Sequence, residues 1–146
     1  MPTGPNAPLD PDSTVTRSSA PASPGAIVVL NRDLFFGVRI ANALRARGYR
    51  VEIAPTPERF AALLGEMDPA PALGIIDMTA VSDWSPLREI ASDPNGSTPT
   101  LAFGPHKDVA AFRAAKDAGV SRVVSNGDFH RDLLGLVERY ARPPGQ

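Results

Sequence analysis

The stretch ALGIIDMTAV, residues 72–81, joins a short apolar run to a single carboxylate, that of Asp77. A run this short and this apolar is typical of a parallel strand that is covered on both faces of its sheet. The acid would then stand at the carboxyl end of the strand, where parallel sheets bind their ligands. The stretch therefore predicts a buried strand whose last residue reaches water.

Similar apolar runs occur along the rest of the chain, and each is followed by a segment with helical periodicity. The five strand candidates are AIVVL (26–30), YRVEIA (49–54), ALGIID (72–77), PTLAF (99–103) and VSRVV (120–124). Crossovers of this length favour right-handed parallel connections. We expect an α/β fold: a flavodoxin-like, doubly wound, five-stranded parallel sheet in a (βα)5 three-layer sandwich.

The segments between the strands carry the usual helix start and stop signals. Thr56 followed by Pro57 is typical of an N-cap with a proline in the first turn, and Ser85 with Pro86 repeats the pattern. A glycine just past a helix favours the left-handed cap conformation. The remaining predicted positions are Asp108 and either Asn126 or Asp128 as helix starts, with Gly48 and Gly119 as C-terminal caps.

The N-terminal segment differs in composition from the rest of the chain. Residues 1–25 are rich in proline and hold few large apolar groups, so burial cannot offset the entropy of ordering them. We predict a disordered Pro-rich tail at 1–25, one domain at 26–142 and a short C-terminal tail at 143–146. The first four prolines recur every three residues, so the tail is either a plain linker or a polyproline II ligand for a proline-recognising groove.

Composition excludes several classes of function. A net charge of -1 and a pI near 6.1 give no basic field for a phosphate backbone, so we expect no nucleic-acid partner. The chain has no cysteine, which excludes disulfides and thiolate chemistry. No apolar run approaches the roughly 18 residues of a membrane span, and the start does not resemble a signal peptide. We expect a soluble, cytoplasmic protein with no membrane partner.

Any ligand site should draw on the residues that follow the strands. The loop after the first strand, VLNRDLFFG, lacks the clustered glycines and the lysine that cradle phosphates, so we predict no nucleotide or other cofactor. His106 and His130 are expected as separate surface imidazoles, and we predict no metal site. Ser125, His106 and Asp77 are the residue types of a hydrolase triad, but no strand is followed by the Gly-x-Ser-x-Gly nucleophile elbow, so we do not expect a hydrolase.

The strand order, the length from 26 to 142 and the acid that ends the third strand resemble the receiver domains of bacterial two-component response regulators. That resemblance implies that Asp77 occupies the place of the aspartate that accepts a phosphoryl group from a histidine kinase. The family pattern also has an acidic pair after strand one that holds magnesium, a serine or threonine ending strand four, and a lysine followed by proline ending strand five.

This chain departs from that pattern at every one of the accessory positions. The acidic pair falls on Asn31 and Arg32, the hydroxyl on Gly104, and the lysine and proline on Asn126 and Gly127. A metal and a cationic side chain are what stabilise the charge in phosphoryl transfer. We therefore interpret the chain as a degenerate receiver, a pseudo-receiver, in which Asp77 is a vestigial phosphoacceptor and no residue is catalytic.

Two residues after strand one leave alternatives open. Arg32 would repel magnesium and either pairs with Asp77, lowering the pKa of that carboxyl, or points into solvent. A one-residue shift in the alignment would instead place Asp33 near the metal position. The strand pattern disfavours that shift, and it would restore neither the lysine nor the hydroxyl.

The resemblance implies a non-catalytic protein-interaction module in signalling or regulation, not an enzyme, and not phosphorylated by the usual metal-dependent route. Receivers often pair through the face formed by their last strand and the helices beside it, so a homodimer through residues 108–140 is expected. Two alternatives stay open: slow phosphorylation at Asp77, and a small enzyme or ligand-binding domain on the same sheet edge.

Overall fold

The computed structural model describes residues 24–93 and 98–143. Five parallel strands form one sheet in the order β2-β1-β3-β4-β5. This order is that of flavodoxin-like folds and confirms the predicted fold class. The strands are β1 (Ala26–Leu30), β2 (Arg50–Ala54), β3 (Leu73–Asp77), β4 (Thr100–Gly104) and β5 (Arg122–Ser125). Most of the N-terminal tail and residues 144–146 lie outside the described residues, so their predicted disorder stays a prediction.

Helices cover both faces of the sheet and complete the three layers. They are α1 (Leu34–Arg45), α2 (Pro57–Glu66), α3 (Ser85–Ala91), α4 (Val109–Asp117), α5 (Asn126–Arg131) and α6 (Leu133–Tyr140), with a 3-10 turn at Met78–Ala80. No helix within residues 24–93 and 98–143 has the length and apolar character needed to cross a membrane.

Two apolar cores lie on opposite faces of the sheet because successive strand residues point to opposite sides. One core unites Ile27 and Val29 of β1 with Leu44 of α1 and with Phe129 and Val137 of the two last helices. The other unites the alternate residues of β1 with α2, α3 and α4, through Val28, Leu30, Phe60, Leu87 and Ala115. Strands buried on both faces explain why the sequence shows continuous apolar runs.

Several predicted helix ends are confirmed by their hydrogen bonds. The Thr56 hydroxyl accepts a bond from the N–H of Arg59 at 3.1 Å, directly before Pro57. The Asp108 carboxylate accepts from the N–H of Ala111 at 2.9 Å. Gly48 and Gly119 adopt φ values of +93° and +96°, the left-handed conformation that a side chain would strain.

The predicted N-cap of α3 was wrong by one residue, since the helix begins at Ser85 and Trp84 occupies the N-cap position without a side-chain bond. Ser85 does not cap the helix; its N–H and its hydroxyl both donate to Oδ1 of Asp83, at 3.0 and 2.7 Å. These bonds from the Ser85 backbone and hydroxyl favour the ionised carboxylate and lower the pKa of Asp83. The acid at 83 therefore organises the turn into α3, because an aspartate can bond the backbone two residues later.

The last helical segment also differs from expectation. Ser125 is its N-cap, accepting from the N–H of Asp128 at 3.1 Å, rather than Asn126 or Asp128. The expected single helix is broken at Asp132, whose φ and ψ are -135° and 39°, so that α5 and α6 are separate. The carboxylate of Asp132 folds over Gly135, where a side chain would collide with it. Aspartate is unfavourable within a helix and favours helix ends, which agrees with the break at residue 132.

Candidate functional site

The sheet register brings Asn31 and Asp77 together at the carboxyl edge. Leu30 of β1 pairs with Ile76 of β3, so the next residue on each strand lies beside the other. Nδ2 of Asn31 donates a hydrogen bond to Oδ2 of Asp77 at 3.2 Å. Asn31 is only 3% exposed and Asp77 is half-buried, so this bond is shielded from water.

The orientation of the Asn31 amide follows from its second bond. Oδ1 of Asn31 accepts from the backbone N–H of Asp33 at 2.8 Å. An N–H can only be met by the oxygen end of an amide, so the amino end must face Asp77. Asn31 therefore presents a donor, not an oxygen ligand, to the carboxylate.

The other oxygen of Asp77 is held by Thr79. Oδ1 accepts the backbone N–H of Thr79 at 3.0 Å and its hydroxyl at 2.7 Å, which opens the 3-10 turn after β3. Both carboxylate oxygens thus bond to neutral donors. The role of Thr79 was missed from the sequence, although a hydroxyl two residues after an aspartate is a signal for this turn.

Arg32 and Asp33 take no part in holding Asp77. Arg32 is exposed and lines a shallow cleft with Thr56, Glu58 and Asp83, and it makes no ion pair with Asp77 in the described part of the chain. The structure thus shows the solvent-facing alternative for this side chain. The Asp33 carboxylate caps α1, accepting from the N–H groups of Phe35 and Phe36 at 2.9 and 3.3 Å.

The residues at this edge do not fit a magnesium ion. Magnesium binds through oxygen ligands, usually carboxylates, in octahedral geometry. Here Asn31 turns an N–H group inward, Asp33 is committed to the start of α1, and Asp77 already bonds to Asn31 and Thr79. Within residues 24–93 and 98–143 there is no group of three or more acids or histidines that could hold a metal.

Gly104, where the resemblance implies a hydroxyl, is covered by Met78. Met78 follows Asp77 directly and is 4% exposed, with its side chain lying across the backbone at the end of β4. A Cβ atom at residue 104 would overlap the Cε methyl of Met78 and lie 3.3 Å from its Cβ. The thioether thus fills the volume in which a serine or threonine side chain would stand.

The other predicted site residues are not assembled into a reactive group. Ser125 lies opposite Gly104 in the register, but its hydroxyl caps α5, and Asn126 is exposed as the first residue of that helix. His106 is exposed in the loop after β4. No hydrogen bond of the described residues joins Ser125, His106 and Asp77, so the structure does not form the hydrolase triad.

An exposed apolar patch at the start of α1 was also missed. Phe36 is 41% exposed and stacks on His130 with the ring centroids 5.1 Å apart. We call Leu34, Phe35, Phe36 and Val38 the α1 patch; their exposures are 80%, 82%, 41% and 49%. Patches of this kind commonly mark interaction surfaces.

Comparisons with known proteins find similarity in structure but none in sequence family. No family model matches the chain, and no curated protein matches it in sequence. The receiver domain of the sensor histidine kinase PA1611 from Pseudomonas aeruginosa is similar in structure, with a TM-score of 0.69 and 18% identity over 82% of this chain and 98% of that one.

Two further solved structures are similar to the same extent. The chemotaxis response regulator CheY4 of Vibrio cholerae has a TM-score of 0.67 and 14% identity, over 80% of this chain and 98% of that one. The receiver domain of a signal transduction histidine kinase from Syntrophus aciditrophicus has a TM-score of 0.69 and 16% identity, over 80% and 89%. The chain therefore has the fold of response-regulator receiver domains.

The similarity in fold does not extend to the residues around the aspartate. The PA1611 receiver holds a magnesium ion in its active-site cleft. In this chain the corresponding edge carries one amide donor, one capping carboxylate and a methionine over a glycine. The fold is that of a receiver, but Asp77 is hydrogen-bonded to Asn31 and Thr79 rather than placed among metal ligands.

We predict that Gly104 and Met78 are energetically coupled. Gly104→Ser should lower the free energy of unfolding by about 1–3 kcal/mol, because the new side chain overpacks against Met78. In a Met78→Ala background, which itself costs about 2–5 kcal/mol, the same change should cost under about 0.5 kcal/mol. Urea unfolding of the four proteins measures the coupling.

Gly127→Ser is the matched control for this cycle, since the nearest atoms to a Cβ there are 3.7 Å away. It should change stability by less than about 0.5 kcal/mol in both backgrounds. Equal costs of Gly104→Ser with and without Met78 would contradict the packing described above.

We also predict that Asn31→Asp creates a cation-dependent protein. The change replaces the donor 3.2 Å from Asp77 with a second carboxylate, and the repulsion should destabilise the fold by about 1–3 kcal/mol at neutral pH. Millimolar magnesium should recover part of that loss in the variant and none in the wild type. The measurement is urea unfolding with MgCl2 against NaCl of equal ionic strength.

Asn126→Asp serves as the control, because it adds an acid at the same sheet edge but in an exposed first turn. It should show no response to magnesium. A wild-type protein that is stabilised by magnesium as strongly as Asn31→Asp would show that our account of Asn31 is wrong.

Proposed function

We propose that this chain is a receiver-like protein-interaction module of bacterial signalling or regulation. It acts in the cytoplasm, is not an enzyme, and is not phosphorylated at Asp77 by the usual metal-dependent route. The observation that carries this proposal is the engagement of both Asp77 oxygens by neutral donors, from Asn31 on one side and Thr79 on the other.

The chemistry of phosphoryl transfer supports the proposal. The transferred group carries negative charge on its equatorial oxygens, and a metal ion or a cationic side chain must stabilise that charge. Here an asparagine stands at the ligand position, a second asparagine stands where the resemblance implies a lysine, and Met78 fills the space beside Asp77. An anionic donor approaching Asp77 would meet a carboxylate without a counter-charge.

A second candidate, slow phosphorylation at Asp77, is favoured by one observation. The carboxylate ends β3 at the edge of the sheet and is only half-buried, so that a small donor has access to it. Hydrogen bonds from Asn31 and Thr79 would have to break first. This candidate shares the fold with the leading proposal and differs from it in the reactivity of one residue.

We propose residues 108–140 as the surface of a homodimer. This face combines α4, the edge strand β5 and the last two helices. It carries one strongly exposed apolar side chain, Val109 at 62%, among exposed charged residues. The charged residues that we assign to its rim are Arg113, Lys116, Asp117, Arg122 and Arg139.

We predict no phosphoryl adduct on this chain. Incubation with acetyl phosphate and magnesium should leave the intact mass unchanged, because nothing at the site neutralises the incoming charge. Mass spectrometry of the whole chain is the measurement, with a competent receiver domain in the same mixture to show that the reagent is active. A stoichiometric adduct that is absent in Asp77→Asn would establish slow phosphorylation instead.

We predict that the dimer, if formed through residues 108–140, depends on the charge at the β5 edge. Arg122→Glu reverses a rim charge and should raise the dimer dissociation constant by about threefold or more. Addition of Val109→Ser to that variant should raise the dissociation constant further. Sedimentation equilibrium measures both. Arg59→Glu on α2 is the control and should have no effect; a monomer at all concentrations would refute the dimer.

A further inference from the structure

A furrow runs between α1 and α6 from one edge of the sheet to the other. Its lower end is lined by Pro24, Tyr49 and Val137, and its upper end by Phe36, Ile40 and His130. Leu134 lines both ends, so the two hollows share a wall. Of the α1 patch, Phe36 lines this upper end, and the exposed Phe35 precedes it on the helix.

The segment that precedes the described structure enters at the lower end. Pro24 packs there beside Gly48, where the nearest approach to a Cβ would be 3.4 Å. The chain that precedes Pro24 is therefore joined to the described structure at the mouth of the furrow. This position fixes which face of the molecule the tail can reach most readily.

We propose that residues 2–11 of this chain dock in cis on the α1 patch and the upper furrow. Pro2, Pro5, Pro8 and Pro11 recur every three residues, the spacing that places proline rings along one face of a polyproline II helix. Segments of this kind bind in grooves lined by aromatic side chains. Phe35 and Phe36, with His130 stacked on the latter, supply such a surface.

The length of the tail matches the distance to be bridged. Helix α1 has 12 residues and therefore rises about 18 Å from the lower end of the furrow to the patch. Twelve residues, 12–23, separate Pro11 from Pro24, and a flexible chain of that length has a root-mean-square span of about 20 Å. A linker whose span matches the gap gives the highest effective concentration, in the millimolar range, so a weak contact suffices.

Charge supports the same occupant. Arg39 lines the upper furrow and makes no ion pair with any acid of residues 24–93 or 98–143. Asp10 and Asp12 flank Pro11, the last proline of the run, and would reach that guanidinium when the run lies on the patch. A pair of this kind is exposed and worth only a few tenths of a kcal/mol, so it orients the segment rather than holding it.

Docking of the tail would cover an apolar surface that a partner protein must otherwise bind. A partner that uses the α1 patch would have to displace residues 2–11, and the tail would act as an internal competitor. This role does not require Asp77 to react or to be inert. Failure of the docking would therefore leave the proposed function unaffected.

The absence of cysteine from the chain permits a direct test. Thr3→Cys provides one attachment point for a nitroxide, which broadens the NMR signals of nearby amides. In the ¹⁵N-labelled full chain we expect the signals of residues 34–39 and 130–134 to lose more than half of their intensity. The outer face of α4, around Val109, should keep its intensity.

Two surface variants separate docking from random proximity. Phe35→Ser should restore at least half of the lost intensity at residues 36–39, since it removes the most exposed ring of the patch. Val109→Ser removes an exposed apolar side chain from α4, outside the patch, and should leave the broadening at residues 34–39 as it is in the wild type. Replacement of the four prolines by serine should also restore the signals.

Three results would overturn the proposal. Undiminished signals at residues 34–39 would mean that the tail does not dock there. Equal broadening in the Phe35→Ser and wild-type chains would mean that the patch is not the site. A third experiment mixes a nitroxide-bearing chain at natural isotope abundance with a ¹⁵N-enriched chain that carries no nitroxide. Broadening in that mixture would mean that the tail docks on a second copy rather than on its own domain.

Discussion

The hydrogen bond between Asn31 and Asp77 joins the two central strands at the edge where parallel sheets bind ligands. A polar group that is 3% exposed needs a partner for each of its ends, because an unpaired buried group costs about 1–3 kcal/mol. Asn31 finds one partner in the backbone of Asp33 and the other in the carboxylate of Asp77. The same amide thus sets the turn into α1 and the position of the acid.

The bond between Asn31 and Asp77 also determines the conformation of the chain that follows β3. Once Oδ2 of Asp77 is held by Asn31, Oδ1 is free to accept both donors of Thr79, and the chain after β3 closes into a 3-10 turn. The turn directs Met78 across the end of β4. A receiver edge that gathers several acids requires a cation to be stable, whereas this edge has one acid and neutral partners and is satisfied without one.

All five strands and several of the helix ends could be predicted from the sequence. Short, continuous apolar runs predict buried parallel strands because both faces are covered, and Thr56 and Asp108 cap helices through bonds to residues three positions away. The role of Asp83 was not predicted because an aspartate bonds the backbone of a turn as readily as that of a helix start, and only the packing decides which. The exposure of the α1 patch was not predicted, because an apolar residue in the first turn of a helix reads the same in sequence whether it is buried or exposed.

The site was less predictable than the fold because its partners are distant in sequence. Asn31 and Asp77 are 46 residues apart, and their contact needs the register of β1 against β3. Strand-by-strand alignment put the right residues at the edge but did not show which atoms meet. The exposed Arg32 shows the limit of such reasoning: a charge next in sequence to Asn31 does not reach the acid that Asn31 holds.

The packing of Met78 over Gly104 has a consequence for how such a domain changes over time. A glycine at residue 104 opens a space, and a long flexible side chain at residue 78 fills it. A hydroxyl can return to residue 104 only after the methionine has gone, yet loss of the methionine alone leaves a cavity. Each first step is unfavourable by itself, so the return of a hydroxyl to residue 104 takes two coupled mutations, in addition to the changes that the other accessory positions would need.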